Sequence, residues 1–181
     1  MQRFLNPVQE SVEMNTARPP RPGSLDGKRL GLFSNGKLNA DRILHMIADE
    51  LAKDFSFNVE PGTYSPQNLM AENEWGKVDA CDVVILANGD CGACSSSGIA
   101  NAVALERRGI PAFLISTPPF TEAVGTMARL SGMADIDWAI VDHPIGSASE
   151  AELRARAQSA AAQFRAAMLD DAPAAQAAQA A

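Results

Sequence analysis

Cys91 and Cys94 stand three residues apart in Asn88-Gly89-Asp90-Cys91-Gly92-Ala93-Cys94-Ser95-Ser96-Ser97-Gly98. The apolar run Val83-Val84-Ile85-Leu86-Ala87 precedes this segment and a helical pattern follows it. A Cys-x-x-Cys pair brings its sulfurs within disulfide reach when the second cysteine lies in the first turn of a helix. The unpaired N–H groups and partial positive charge of that helix end favour thiolate over thiol, and the thiolate is the nucleophile. Gly89, Gly92 and Gly98 permit close backbone approach. Ser95, Ser96 and Ser97 add hydroxyls for an anion or a polar substrate. Asp90 works in the opposite sense, because a neighbouring negative charge disfavours the thiolate. The sequence does not rank these two effects. Two other uses of the pair stay open, half of a zinc site and plain packing. Structural zinc takes four ligands, and the chain has no second Cys pair. His45 falls on the first helix and only His143 falls nearby, so no metal is expected. Inert cysteines sit in apolar surroundings, a description that suits Cys81, at the approach to a core strand, better than this polar, glycine-rich stretch.

Other polar groups fall at similar places in the pattern. Ser34-Asn35-Gly36-Lys37-Leu38-Asn39 follows an apolar strand and precedes a helix. Such a turn is either ordinary, with a solvated lysine, or a cradle for an anion with Lys37 as a point charge. It matches neither Gly-x-Gly-x-x-Gly nor the phosphate-loop pattern. His143, in Val-Asp-His-Pro-Ile, is either a turn histidine or a proton shuttle. Thr117-Pro118-Pro119-Phe120 reads as a rigid turn forming a pocket wall. The candidate set is Cys91, Cys94 and His143 for chemistry. For binding it is Ser34, Asn35, Lys37, Asn39, Asp90, Ser95, Ser96 and Thr117.

The elements that must position these groups alternate along the chain. Strands are expected at 28–33, 55–59, 78–87, 111–116 and 138–141. Helices are expected from Asn39, as cap, to about Lys53, then at 95–108, 121–130 and 150–168, with one helical turn near 67–74. Short apolar strands alternating with helices predict an α/β fold, a three-layer open and mainly parallel sheet with helices on both faces. Right-handed crossovers place every strand-to-helix turn at one edge, where ligands of open α/β sheets bind. The turns carrying Asn35, Cys91, Thr117 and His143 should therefore converge. Residues 1–24, with four prolines, read as an arm, either loose or laid on a partner subunit. Residues 25–169 form the single domain, and the Ala/Gln-rich 170–181 a disordered or frayed tail.

The 181 residues are 46% hydrophobic and carry a net charge of −7. The core is large enough to dispense with a disulfide framework. The acidic balance argues against a nucleic-acid partner and against an anionic membrane surface. No apolar run approaches a membrane span, and the N-terminus lacks a secretory pattern. Three cysteines without an export signal point to a reducing, cytoplasmic compartment.

Taken together, these segments resemble the UGSC family, named for selenocysteine-Gly-Ser-Cys, many of whose members carry cysteine at the first position. The matching core is Asp90-Cys91-Gly92-Ala93-Cys94-Ser95-Ser96. The resemblance extends over 21–32, 35–41, 104–111 and 143–145, and so over roughly residues 20–165. It implies that Cys91 holds the selenocysteine position, as the attacking thiol, with Cys94 as the resolving one. Ala93 replaces Ser, and Ala100-Asn101 stand where many members have His-Asp. If that His assists the thiol in relatives, this chain uses His143, relies on a partner subunit, or does different chemistry. The leading expectation is a thiol-dependent enzyme acting on a small polar electrophile, redox or non-redox, with a thiol reductant as partner if redox. The alternative is a binding subunit of a hetero-oligomeric enzyme. Either a homo-oligomer or a hetero-oligomer is expected. A flavodoxin-like carrier is a third reading, but Trp75, Trp138 and Tyr64, the large stacking groups besides Phe, fall at no strand's carboxyl end, so no cofactor is expected.

Overall fold

The computed structural model describes residues 18–65 and 72–169. Five strands alternate with helices: β1 (Arg29–Ser34), α1 (Ala40–Leu51), β2 (Asn58–Thr63), α2 (Glu72–Val78), β3 (Val83–Gly89), α3 (Gly92–Arg107), β4 (Ala112–Ser116), α4 (Thr121–Leu130), β5 (Trp138–Ile140) and α5 (Glu150–Met168). Pro118–Phe120 form a 3-10 turn leading into α4. The strands make one sheet in the order β2-β1-β3-β4-β5, and every pairing is parallel.

The strand period of two sends alternate residues to opposite faces, and β3 shows it plainly. Val83, Ile85 and Ala87 face a core shared with Ile43, Leu44 and Ile47 of α1 and Leu153, Ala157 and Phe164 of α5. Val84 and Leu86 face a second core with Ile99 and Val103 of α3 and Val124 and Ala128 of α4. Phe113 meets Phe164 edge-on, with ring centroids 5.4 Å apart, joining β4 to α5. The result is the three-layer α/β architecture, with helices on both faces of the sheet.

Strand order also creates a switch point. The chain moves outward from β1 to β2, returns across β1 to β3, and then proceeds to β4 and β5. The turns leaving β1 and β3 therefore diverge side by side and open a crevice at the carboxyl edge. Asn35 N–H donates to Ala87 O at 2.8 Å and fastens the two turns together.

Several boundaries differ from expectation. The second strand is Asn58–Thr63, not 55–59, because Phe55 and Phe57 are taken up as packing groups against the α1/α5 core. Pro61 is tolerated there because β2 is an edge strand. β3 begins at Val83, since Val78 closes α2. Part of the turn expected near 67–74 lies outside the described residues. Helix α3 starts at Gly92 rather than Ser95 because Cys91 takes the cap position. Asn39 does precede α1, but in the left-handed region at φ 63°, and its side chain makes no capping bond. Residues 18–24 lie on their own chain: Arg18 pairs with Asp137, Arg21 Nη1 meets Glu106 Oε1 at 2.7 Å, and Gly23 bridges Leu169. Residues 1–17 of the expected arm and the tail 170–181 lie outside the described residues.

Candidate thiol site

β3 ends at Gly89, pressed against Ser95 and Ser116; a Cβ there would lie 2.6 Å from Ser116 Oγ. That close approach brings the first turn of α3 down onto β4. Cys91 follows as N-cap in extended backbone, and its Sγ accepts the Cys94 N–H at 3.2 Å. The cap puts Cys94 at the third helical position. Cys91 and Cys94 are joined as a disulfide, with Cα atoms 5.2 Å apart. The two sulfurs differ in access: Cys91 is half-buried, whereas Cys94 is only 2% exposed. Cys81 lies elsewhere, against Gly31 and Val84 on the α3 side of the sheet, donating to Lys77 O at 3.3 Å. Burial, with help from Glu60, pushes its thiol up to about 11.

The Asp90 carboxylate is bound by the loop after β5. Its Oδ1 accepts the Ile145 N–H at 2.9 Å and its Oδ2 the Gly146 N–H at 2.8 Å. His143 Nδ1 lies 3.0 Å from Asp90 Oδ1 and 3.2 Å from Thr117 Oγ1. Thr117 Oγ1 in turn donates to Gly89 O at 3.3 Å. A carboxylate on Nδ1 requires the proton on that nitrogen, which leaves Nε2 to exchange protons. Phe120 packs edge-on against the imidazole, at 5.8 Å between centroids. The Ala87–Asn88 and His143–Pro144 peptide bonds are both cis.

A cavity of about 260 Å³ opens at the disulfide, lined by Lys37, Leu38, Asn88, Asp90, Cys91, Cys94 and Gly146. Of the residues singled out in the sequence, Lys37, Asp90, Cys91 and Cys94 meet at this wall. Asn35 and Asn39 stand behind it. Asn35 Nδ2 donates to Asn88 O at 2.8 Å. Asn39 Nδ2 donates to the carbonyls of Ile145, Gly146 and Ala148 at 3.0 to 3.3 Å, which ties the start of α1 to the loop holding Asp90. His143 and Thr117 reach the cavity wall through Asp90. Ser34, Ser95 and Ser96 do not line it. Ser34 Oγ accepts the Gly36 N–H, and Ser95 Oγ faces Ser116 Oγ beneath the helix. Ser96 is half-buried.

Asn88, Leu38 and Gly146 were not singled out from sequence. Asn88 was visible as the residue before Gly89-Asp90, but only the β1–β3 adjacency explains its place beside Leu38, whose carbonyl accepts its Nδ2 at 3.2 Å. A second cavity, about 420 Å³ and lined by Ala48, Asp49, Ala52, Phe55, Ser56, Phe57 and Val59, has no cysteine in its wall. Among the described residues, no three His, Cys, Asp or Glu side chains are grouped to hold a metal ion. Among them too, no helix is long and apolar enough to cross a membrane.

Fold and site together define a parallel, doubly wound α/β protein with a Cys-x-x-Cys pair at its switch point. The family model described as the UGSC family matches residues 3–170, and the chain belongs to that family. No curated protein matches the chain. Among solved structures, one titled as formate dehydrogenase from Granulicella m. is similar at 11% identity, with a TM-score of 0.33. That match covers 78% of this chain and 44% of the other, so the chain spans less than half the length of that structure.

Proposed function

We propose that the protein is a thiol-dependent enzyme in which Cys91 attacks a small polar electrophile and Cys94 resolves the adduct. The observation that carries this reading is the asymmetry of the pair. Both cysteines line the cavity, Cys91 is the more accessible, and Cys94 is buried within bonding reach of it. An attacking thiol must be approached by substrate, whereas a resolving thiol need only meet its neighbour. The Cys94 N–H aimed at Cys91 Sγ and the axis of α3 both favour negative charge on that sulfur. Asp90 opposes it weakly, because its charge is already held by two backbone N–H groups and His143.

In the redox form, the Cys91 thiolate attacks an electrophilic sulfur or peroxide oxygen, and the leaving group departs with the bonding electron pair. The Cys94 thiolate then attacks Cys91 Sγ, the substrate fragment leaves with its electrons, and a disulfide remains. His143 Nε2, bare while Nδ1 holds its proton against Asp90, takes up the proton that each cysteine loses on becoming a thiolate and passes it to the group that leaves. Two electrons have passed to the substrate, and a dithiol reductant restores the pair. With a carbon electrophile the same thiolate would form a covalent intermediate without disulfide formation. Lys37, Asn35, Asn39, Ser34, Ser95, Ser96 and Thr117 complete the assignment as groups that bind the substrate or position those that do. The reading places the protein in a reducing cytoplasm, without metal or bound cofactor, as an oligomer. It assigns residues 25–169 as the domain, between an arm and a tail.

The test is intact-mass analysis of the reduced protein after one equivalent of a small disulfide. Wild type should lose about two mass units as the pair closes. Cys94→Ser should hold the substrate half as a stable mixed disulfide on Cys91, and Cys91→Ser should not react. A wild-type protein left reduced throughout removes the redox form. Turnover in Cys91→Ser removes the assignment altogether and favours a binding subunit.

A further inference from the structure

We infer that the cavity at the cysteines takes a small organic acid with one negative charge and an O–H or N–H donor beside its carboxylate. The inference deepens the thiol reading and rests on it only for setting the reactive centre against Cys91.

Asn88 carries the argument. It is completely buried and lines the cavity, yet its Oδ1 has no hydrogen-bond partner. Its amide nitrogen and its backbone carbonyl are committed. Nδ2 donates to Leu38 O at 3.2 Å, and the backbone carbonyl accepts from Asn35 at 2.8 Å. The bond to a carbonyl fixes which end of the amide is nitrogen, so the free atom is an acceptor. A buried acceptor left unpaired is costly, and native proteins pair nearly all of them. Asn88 Oδ1 therefore calls for a donor on the bound molecule.

The rest of the wall calls for an anion. Lys37 lines the cavity, and its ammonium has no ion-pair partner among the described residues. Helix α3 begins at this wall with Gly92 and no acidic residue in its first turn. The N–H groups of Gly92 and Ala93 have no acceptor within the helix, a standard arrangement for binding anions, while that of Cys94 is taken by Cys91 Sγ. The single acid of the lining, Asp90, is already engaged by Ile145, Gly146 and His143. Leu38, 72% exposed, offers an apolar edge for a short carbon chain. The volume, about 260 Å³, exceeds the roughly 150 Å³ that holds benzene and falls below the usual range for drug-sized ligands.

The test uses 2-hydroxybutanoate, butanoate and 2-hydroxybutanamide, which present both features, the anion alone and the donor alone. Two readouts are taken on the full chain: protection of reduced Cys91 from iodoacetamide, and an NMR titration of the Cys91→Ser/Cys94→Ser protein. The hydroxy acid should protect saturably, and each of the other two should need roughly tenfold more. Lys37→Gln should weaken the hydroxy acid about fivefold and leave the amide unchanged. The same order should hold in the double-serine protein. Equal response to all three probes, or to none, overturns the inference even if Cys91 proves reactive. The expected order in the double-serine protein together with an unreactive Cys91 upholds the ligand class and defeats the thiol reading instead.

Discussion

The position of Asp90 next to Cys91 sets two effects in opposition, and the structure shows where the Asp90 charge is held. Its carboxylate spans the N–H groups of Ile145 and Gly146 and faces His143, so it holds the loop after β5 against the cavity. Replacing it with Asn would present an NH₂ group to one of those backbone donors. Asp90→Asn should cost about 1–3 kcal/mol, read as a lowered denaturation midpoint with an unchanged denaturant slope. No loss would mean that the loop is held by Asn39 alone. Cys91 and Cys94 were legible because a Cys-x-x-Cys after a buried run has few other places to lie. The use of Ser34 and Ser95 was not legible. A serine near a turn serves a substrate or its own backbone equally well by pattern, and here Ser34 satisfies Gly36 and Ser95 faces Ser116.

Elements were readable where hydrophobic period and caps agree. Helix α5 starts where the sequence places it, at Glu150, because Ser149 and Glu152 form a reciprocal capping box. Ser149→Ala should cost about 1 kcal/mol in a denaturation experiment, without altering Cys91 reactivity. A cost near zero would show the helix start to be fixed by packing alone. Boundaries failed where a single residue had two possible employers. Cys91 became the cap of α3, and Phe55 and Phe57 became packing groups rather than strand residues. Gly89 shows how element packing builds the site, because a methyl group there would meet Ser116 and Ser95 at under 3 Å. Gly89→Ala should destabilise the fold by about 1–3 kcal/mol. It should also change the alkylation rate of Cys91, since α3 must lift from β4. A normal rate in a destabilised protein would separate the cap from this contact.

At the scale of the whole molecule, α/β alternation was legible from periodicity, whereas strand order was not. Order depends on which strands pair across the returning crossover, and that choice places Lys37 and Asn88 at one wall. Residues 18–21 are held to the domain by a largely buried charge cluster that periodicity cannot show. Glu106 accepts from Arg21 and from the Ala112 N–H, while Arg18 bonds Asp137. Burial outweighs the Ala112 N–H and Arg18, and pushes the Glu106 carboxyl from 4.5 up to about 7. Between those values the folded protein keeps a proton that the unfolded chain has released, so stability falls as pH rises through this window. Glu106→Gln should remove that fall. Relative to wild type it should gain stability between pH 5 and pH 7.5, measured by chemical denaturation at both. The opposite trend would mean that the arginines, not burial, govern the group.

The most direct measurement is the rate of iodoacetamide alkylation at each cysteine of the reduced protein across pH, resolved by mass spectrometry. Cys91 should react fastest, with a midpoint below the free-thiol value of about 8.5. Cys94 should be slow by burial. Cys81, whose thiol is pushed up to about 11, should stay nearly inert at neutral pH. Mild oxidation should abolish labelling of Cys91 and Cys94 together. If Cys91 reacts no faster than Cys81, or titrates at or above the free-thiol value, Cys91 is not an activated nucleophile and the account of this site is wrong.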